Sequence, residues 1–214
     1  MRALSLVTVA LALSLTACPE QPTAGAPDAG VDVDGGVVEP PPPFAISTRN
    51  QLAWKRQRAL ESDLMAGLAL TKEELCSELG LYSCVDFVHL VPLGGNEPFA
   101  RSQYEPLPSP TVTTPIALDR VALSACRNRV DKDIAGAPVV FTTLDFDAAD
   151  VDAASSAAVI EELGKRLLGR VLTPGEVEEF QALAVDDAAA AVTPRDFAIL
   201  SCFAIATMSE TLFY

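Results

Sequence analysis

Apolar residues recur along this chain at two different spacings. Leu4 to Leu15 is a twelve-residue apolar run behind a single basic residue, Arg2. From Ile46 onward the intervals are those of helices. Ser47 or Thr48 offers a cap for a helix reaching about Leu70, with Leu52, Trp54, Leu60, Leu64 and Leu68 at its apolar positions. Thr71-Lys72-Glu73-Glu74 is a capping box that starts a short helix ending at Gly80. Thr114-Pro115 sets a cap before proline at the first helical position, and that helix runs to about Lys132. Asp152 caps another through Leu168. Thr173-Pro174-Gly175-Glu176 and Thr193-Pro194-Arg195-Asp196 repeat one arrangement of threonine cap, proline, and acid at the third helical position. The helix after Thr193 is apolar nearly all round, through Phe197, Ile199, Leu200, Phe203, Ile205, Met208, Leu212 and Phe213. A helix without a polar face belongs at the centre of a bundle.

Two regions break this punctuation. Residues 84–113 carry Pro92, Pro98, Pro106, Pro108 and Pro110 and the pair Gly94-Gly95. Within them Val85 to Val91 reads as one short strand or an extended buried segment, and Val139-Val140-Phe141 as another. The expected fold is mainly α: a compact helical bundle over residues 44–214, interrupted by one long irregular loop.

Charge changes this picture at the N-terminal side. The formal charge is -14, from 15 basic and 29 acidic residues. Such a chain repels phosphate backbones and anionic lipid surfaces alike, so nucleic-acid binding is not expected. Residues 19–43, PEQPTAGAPDAGVDVDGGVVEPPPP, hold acids without a basic partner, no aromatic residue, and four closing prolines. A segment of that composition cannot bury enough apolar surface to offset its ordering entropy. It is expected to be a disordered, extended tether, reaching about 50–80 Å at ~3.1 Å per residue.

The first seventeen residues have the form of a secretory signal: a short basic start, an apolar stretch below the ~18 residues of a membrane span, and a small-residue exit. The exit is Leu15-Thr16-Ala17-Cys18, which resembles the lipobox of bacterial lipoproteins. That resemblance implies lipidation, palmitate included, of Cys18 as the first mature residue. Pro19 follows rather than aspartate, and by the same resemblance the protein is directed to the outer membrane, at its periplasmic face or the cell surface. The expected organisation is a signal peptide over 1–17, a lipidated N-terminus and tether over 18–43, and a helical envelope domain over 44–214.

Once Cys18 is lipidated, Cys76, Cys84, Cys126 and Cys202 remain. An oxidising envelope favours two disulfides among three connectivities. Cys76–Cys84, a local pair, and Cys126–Cys202, joining two helices near their middles, are the favoured ones. No Cys-x₂₋₄-Cys knuckle and no Cys-x-x-Cys-His motif occurs, and the chain has one histidine, so neither zinc nor haem nor any other cofactor is expected.

Chemistry concentrates on the long loop, because ordered long loops in compact domains are commonly functional. It presents His89, Asn96, Arg101 and Tyr104 as a candidate binding set. His89 as a general base would need a nucleophile and an orienting acid, and no nucleophile elbow or Ser-x-x-Lys is present. Carboxylate pairs such as Asp86/Asp119, Glu73/Glu74 or Asp145/Asp147 arise freely among so many acids. The stretch Asp145 to Asp150 lacks the glycine and glutamate of a calcium loop. Lys55, Arg56 and Arg58 form a small basic face, expected to be paired or solvated. No catalytic residue is assigned.

One further likeness covers about 45 residues. Arg170, Leu172, Thr173 and Glu176, with Ser209 and the closing Phe213-Tyr214, are similar to a helical module of exported planctomycete and myxobacterial proteins associated with cytochrome c domains. Glu210 stands where that pattern has proline, and no haem motif is present. The likeness implies a helical envelope domain and transfers no activity. The resulting expectation is a lipid-anchored, non-enzymatic interaction or assembly component of a cell-envelope machine, for example in surface structure, motility or secretion. Its partners would be the membrane and envelope proteins. A small-ligand binder or hydrolase using the 84–113 loop, and an accessory to periplasmic electron transfer, are the alternatives.

Overall fold

The computed structural model describes residues 53–136 and 138–213. The signal segment, Cys18, the tether, the start of the first expected helix and Tyr214 lie outside them. The fold is mainly helical. The main helices are α1 (Gln57–Leu68), α4 (Thr114–Ala135), α5 (Ala153–Leu163), α6 (Pro174–Gln181) and α7 (Pro194–Ala206). Single-turn helices α2 (Lys72–Leu75), α3 (Pro98–Arg101) and α8 (Ser209–Leu212) stand between or after them. Two two-residue strands, β1 (Ser77–Glu78) and β2 (Tyr82–Ser83), form one antiparallel hairpin with Ser77 opposite Ser83.

Helix α4 is the spine, at 22 residues about 33 Å long. Its buried positions Ala117, Val121, Ala125, Arg129 and Asp133 recur every four residues, a stripe against which α7 and α1 pack. Helix α7 buries Phe197, Ala198, Ser201, Cys202, Ile205 and Ala206 and contacts both α4 and α5, which gives it the central place its sequence indicates. The disulfide Cys126–Cys202 joins α4 to α7, and Cys76–Cys84 closes the hairpin. Asn128 Nδ2 donates to the Glu74 carbonyl at 2.7 Å, and Lys132 Nζ meets the Glu74 carboxylate at 2.7 Å. These two contacts seat α2 on the spine.

Four helix starts follow the local chemistry. The boxes at Thr71/Glu74 and Thr173/Glu176 both close, Asp152 accepts from the amides of Ala154 and Ser155, and Thr193 accepts from Asp196. Helix ends and long-range pairings depart from expectation. Helix α1 begins at Gln57 because Trp54 pairs in antiparallel fashion with Phe213, and the Lys55 amide donates to Leu212 at 2.7 Å. Helix α2 stops at Leu75 because Cys76 is extended and opens the hairpin. The α4 cap is Thr113, one residue earlier than expected. The helix capped by Asp152 gives way at Gly164 to one wide turn, Gly164–Leu168. Helix α7 ends at Ala206, and α8 is a separate turn.

Neither expected strand forms. Cys84–Val88 is a single wide π-helical turn, in which His89 N–H donates to the Cys84 carbonyl at 2.6 Å. Val139, Val140 and Phe141 wrap round one carboxylate, as their three amides donate to Asp133 at 2.9, 3.1 and 2.9 Å. That capture lets Val140 and Phe141 reach the core.

Arg170, Thr173 and Glu176 of the C-terminal likeness form a clamp together with Glu210, which stands where that pattern has proline. Arg170 donates to Glu176 at 2.6 and 3.0 Å and to Glu210 at 2.8 and 3.2 Å, while Glu176 also accepts from the Thr173 amide at 2.7 Å. Arg170 and the capping contacts of Thr173 pull the Glu176 carboxyl down to about 2 from 4.5. Its stabilising contribution is therefore complete above pH 4.5 and decays as the pH falls from there towards 2. Replacing Arg170 by glutamine is expected to move the Glu176 titration, followed by carboxyl carbon NMR, back towards 4.5. An unmoved titration would assign the effect to the cap alone.

Candidate functional site

The long loop is half pinned and half presented. Its first part is tied to the scaffold by the Gln57 amide donating to Leu93 O (2.6 Å) and by Thr114 Oγ1 donating to Pro92 O (2.7 Å). Leu93 is fully buried. Gly94 has φ +78, and a Cβ there would come within 2.8 Å of the Trp54 ring, so glycine is required for both backbone and packing. Beyond Asn96 the chain is anchored mainly to itself. Glu97 caps the single turn α3, and Asn96 Nδ2 donates to Tyr104 O at 3.3 Å. Phe99 is 96 % exposed, Tyr104 75 % and Val112 92 %, with Arg101 exposed between the two aromatics.

The four candidate residues of the loop do not form one site. Asn96, Arg101 and Tyr104 belong to the presented part, and Asn96 is a staple within it. His89 turns inward. Its Nε2 lies 3.7 Å from Glu78 Oε1, too long for a hydrogen bond, and Arg120 Nη2 lies 3.2 Å from the same oxygen. Burial, with the charge of Arg120, lowers the His89 pKa below 6.5 against the opposing pull of Glu78. A neutral imidazole facing a carboxylate and a guanidinium has no nucleophile to activate among these neighbours. Cys76, Cys84, Cys126 and Cys202 are held in the two disulfides.

A small cleft of about 100 Å³ between Phe87, Glu97 and Arg101 lies within the loop, and two larger concavities flank it. One, of about 600 Å³, is lined by Arg56, Arg58, Lys72, Asp86, Gly94 and Asn96 among others. Asp86 is its organising group: it accepts from Gln57 Nε2 at 2.7 Å, pairs with Lys72, and lies 3.8 Å from Arg58. Asp86 raises the Lys72 pKa above 10.5, with Glu61 adding to the effect. Of the basic face expected on α1, Lys55 pairs with Asp63 at 2.7 Å, whereas Arg56 has no ion-pair partner among the described residues. The second concavity, about 310 Å³, is apolar and is walled by Trp54, Pro110, Pro115, Leu118, Leu212 and Phe213.

The feature least visible beforehand is the hairpin between Cys76 and Cys84. It exposes Leu79, Leu81 and Tyr82, and Phe87 stands out from the turn that follows. Its signal was present as Leu79-Gly80-Leu81-Tyr82, an apolar run at a glycine turn where polar residues are usual. Set against family models, curated proteins and solved structures, the chain matches none, so the functional reading rests on the geometry of this loop and hairpin.

Proposed function

We propose that the chain is an exported bacterial lipoprotein, held to the outer membrane through acyl chains on Cys18. Its helical domain then acts as a non-enzymatic interaction component of a cell-envelope assembly. The observation that carries this reading is the presented half of the loop. Phe99, Arg101 and Tyr104 project from a turn whose base is fastened to α1 and α4. Exposed aromatic and arginine side chains are the groups that anchor protein interfaces. The environment of His89 supports the same reading, since it faces Glu78 and Arg120 and not the presented surface.

The expected result is that cross-linking in intact envelopes retrieves one reproducible protein partner, and that Phe99→Asp with Tyr104→Asp loses it while the fold is kept. Mass spectrometry of the mature N-terminal peptide is expected to find the acyl groups on Cys18. Catalytic turnover by the purified chain, abolished by His89→Ala, would overturn the non-enzymatic reading.

A further inference from the structure

The hairpin turn breaks the usual residue preferences of its type. Leu81 N–H donates to Glu78 O at 3.1 Å, and both central residues have positive φ, 55° at Leu79 and 68° at Gly80. Such a turn has the I′ twist, whose first central position suits Asn, Asp or Gly. Leucine there carries the left-handed strain of a residue with a Cβ. Leu79 is also 87 % exposed and Leu81 77 %. Tyr82 stacks on Phe87 with ring centroids 5.2 Å apart. Strain and exposure fall on one small projection, clamped across its base by Cys76–Cys84, and nothing among the described residues covers it.

Charge around this projection is distributed unlike the rest of the domain. Residues 138–213 hold thirteen acids against four bases. Beside the hairpin, Glu78 is paired with Arg120, Asp86 and Glu61 with Lys72 and Arg58, and Glu97 shares a cleft with Arg101 and Phe87. Three of these carboxylates are ion-paired and Glu97 only shares its cleft with Arg101, so the four acids and four bases named here balance in number beside the apolar projection. Charges more than about 8 Å away are screened at physiological ionic strength, which limits the repulsion from the acidic helices.

The geometry points to a bilayer contact: Leu79, Leu81, Tyr82 and Phe87 enter the interfacial zone of a phospholipid membrane, with Arg58 and Arg101 at the level of the phosphates. Leucines beside a tyrosine, with arginines flanking, are the side chains that such a zone accepts. That balance in number makes the contact apolar in origin, so zwitterionic lipid is sufficient for it. The inference rests on the lipoprotein reading only in placing the hairpin next to a membrane.

The test uses the full mature chain with Trp54→Phe, which removes the one native indole, and an indole introduced at the turn by Leu81→Trp. On phosphatidylcholine vesicles with brominated acyl chains, that emission is expected to shift to shorter wavelength and be quenched. A Val171→Trp companion, at a site 67 % exposed in the acidic part, is expected to do neither. Quenching at both positions, at neither, or only on anionic vesicles and reversed by salt would overturn the inference. So would protection of the Leu81→Trp indole by a protein partner in place of vesicles. Chain lacking acyl groups, added to the same vesicles, separates the outcomes. If Cys18 proves unlipidated yet the indole is quenched, the hairpin contact stands and the anchor fails.

Discussion

Replacing Asp133 by alanine is expected to lower stability by about 3–5 kcal/mol, the cost of breaking a buried ion pair by removing one partner. The Asp133 side chain is fully buried and Arg129, one turn before it on α4, is 3 % exposed. Arg129 Nη2 donates to Asp133 Oδ1, and Nη1 donates to the Ala69 carbonyl at 3.2 Å. Removing the carboxylate strands a buried guanidinium and also leaves the amides of Val139, Val140 and Phe141 without an acceptor. Each orphaned donor in a dry site costs about 1–3 kcal/mol. For a domain near this size, the predicted loss corresponds to a fall in Tm of about 6–20 °C. The mechanism also fixes an order. Arg129→Met should cost less than Asp133→Ala, because the carboxylate would still be held by three amides. Urea unfolding of the two variants checks this. An Asp133→Ala loss below about 1 kcal/mol, or the reverse order, would show that water reaches the site and replaces the carboxylate.

This Asp133 arrangement also shows where sequence reasoning stops. Thr71 with Glu74, Thr173 with Glu176, and Thr193 with Asp196 were legible as helix starts because each donor and acceptor lie within three residues. The disulfides were legible from parity and from the placing of Cys126 and Cys202 on two helices. Partners distant along the chain carry no such local signal. A strand over Val139–Phe141 was the natural inference from three apolar residues, yet their amides belong to a helix residue six to eight positions earlier. Trp54 fitted a helical period and instead pairs with Phe213. His89 was grouped with Asn96, Arg101 and Tyr104 by proximity in sequence, but β1 and α4 supply its neighbours Glu78 and Arg120. Arg101 and Tyr104 were picked out with the long loop because ordered long loops are commonly functional, whereas Phe99, 96 % exposed between them and the pinned base, was not. The apolar hairpin was missed because an extended Cys76 turns the chain where a helix was expected to continue.

Removing the Cys126–Cys202 bridge, as Cys126→Ala with Cys202→Ala, is expected to be the second large loss, at about 4.5 kcal/mol on the chain-entropy estimate. The bridge spans 76 residues, against 8 for Cys76–Cys84, whose removal is expected to cost about 2.5 kcal/mol by the same relation. Much of the effect belongs to the unfolded chain, and this gives it a signature beyond a lower midpoint. Releasing the long loop lets the denatured state expand, so the denaturant m-value should rise in that variant and barely change in the short-loop one. A lower midpoint with an unchanged m-value would place the loss in native packing between α4 and α7 instead. The two loops do not overlap in sequence, so their contributions should add, to about 7 kcal/mol. That sum is comparable with the whole stability of a typical domain, about 5–15 kcal/mol. The fully reduced chain is therefore expected to sit close to its unfolding threshold at growth temperature. A domain this dependent on its bridges is expected to keep its fold only where thiols are oxidised, as the proposed export of the chain requires.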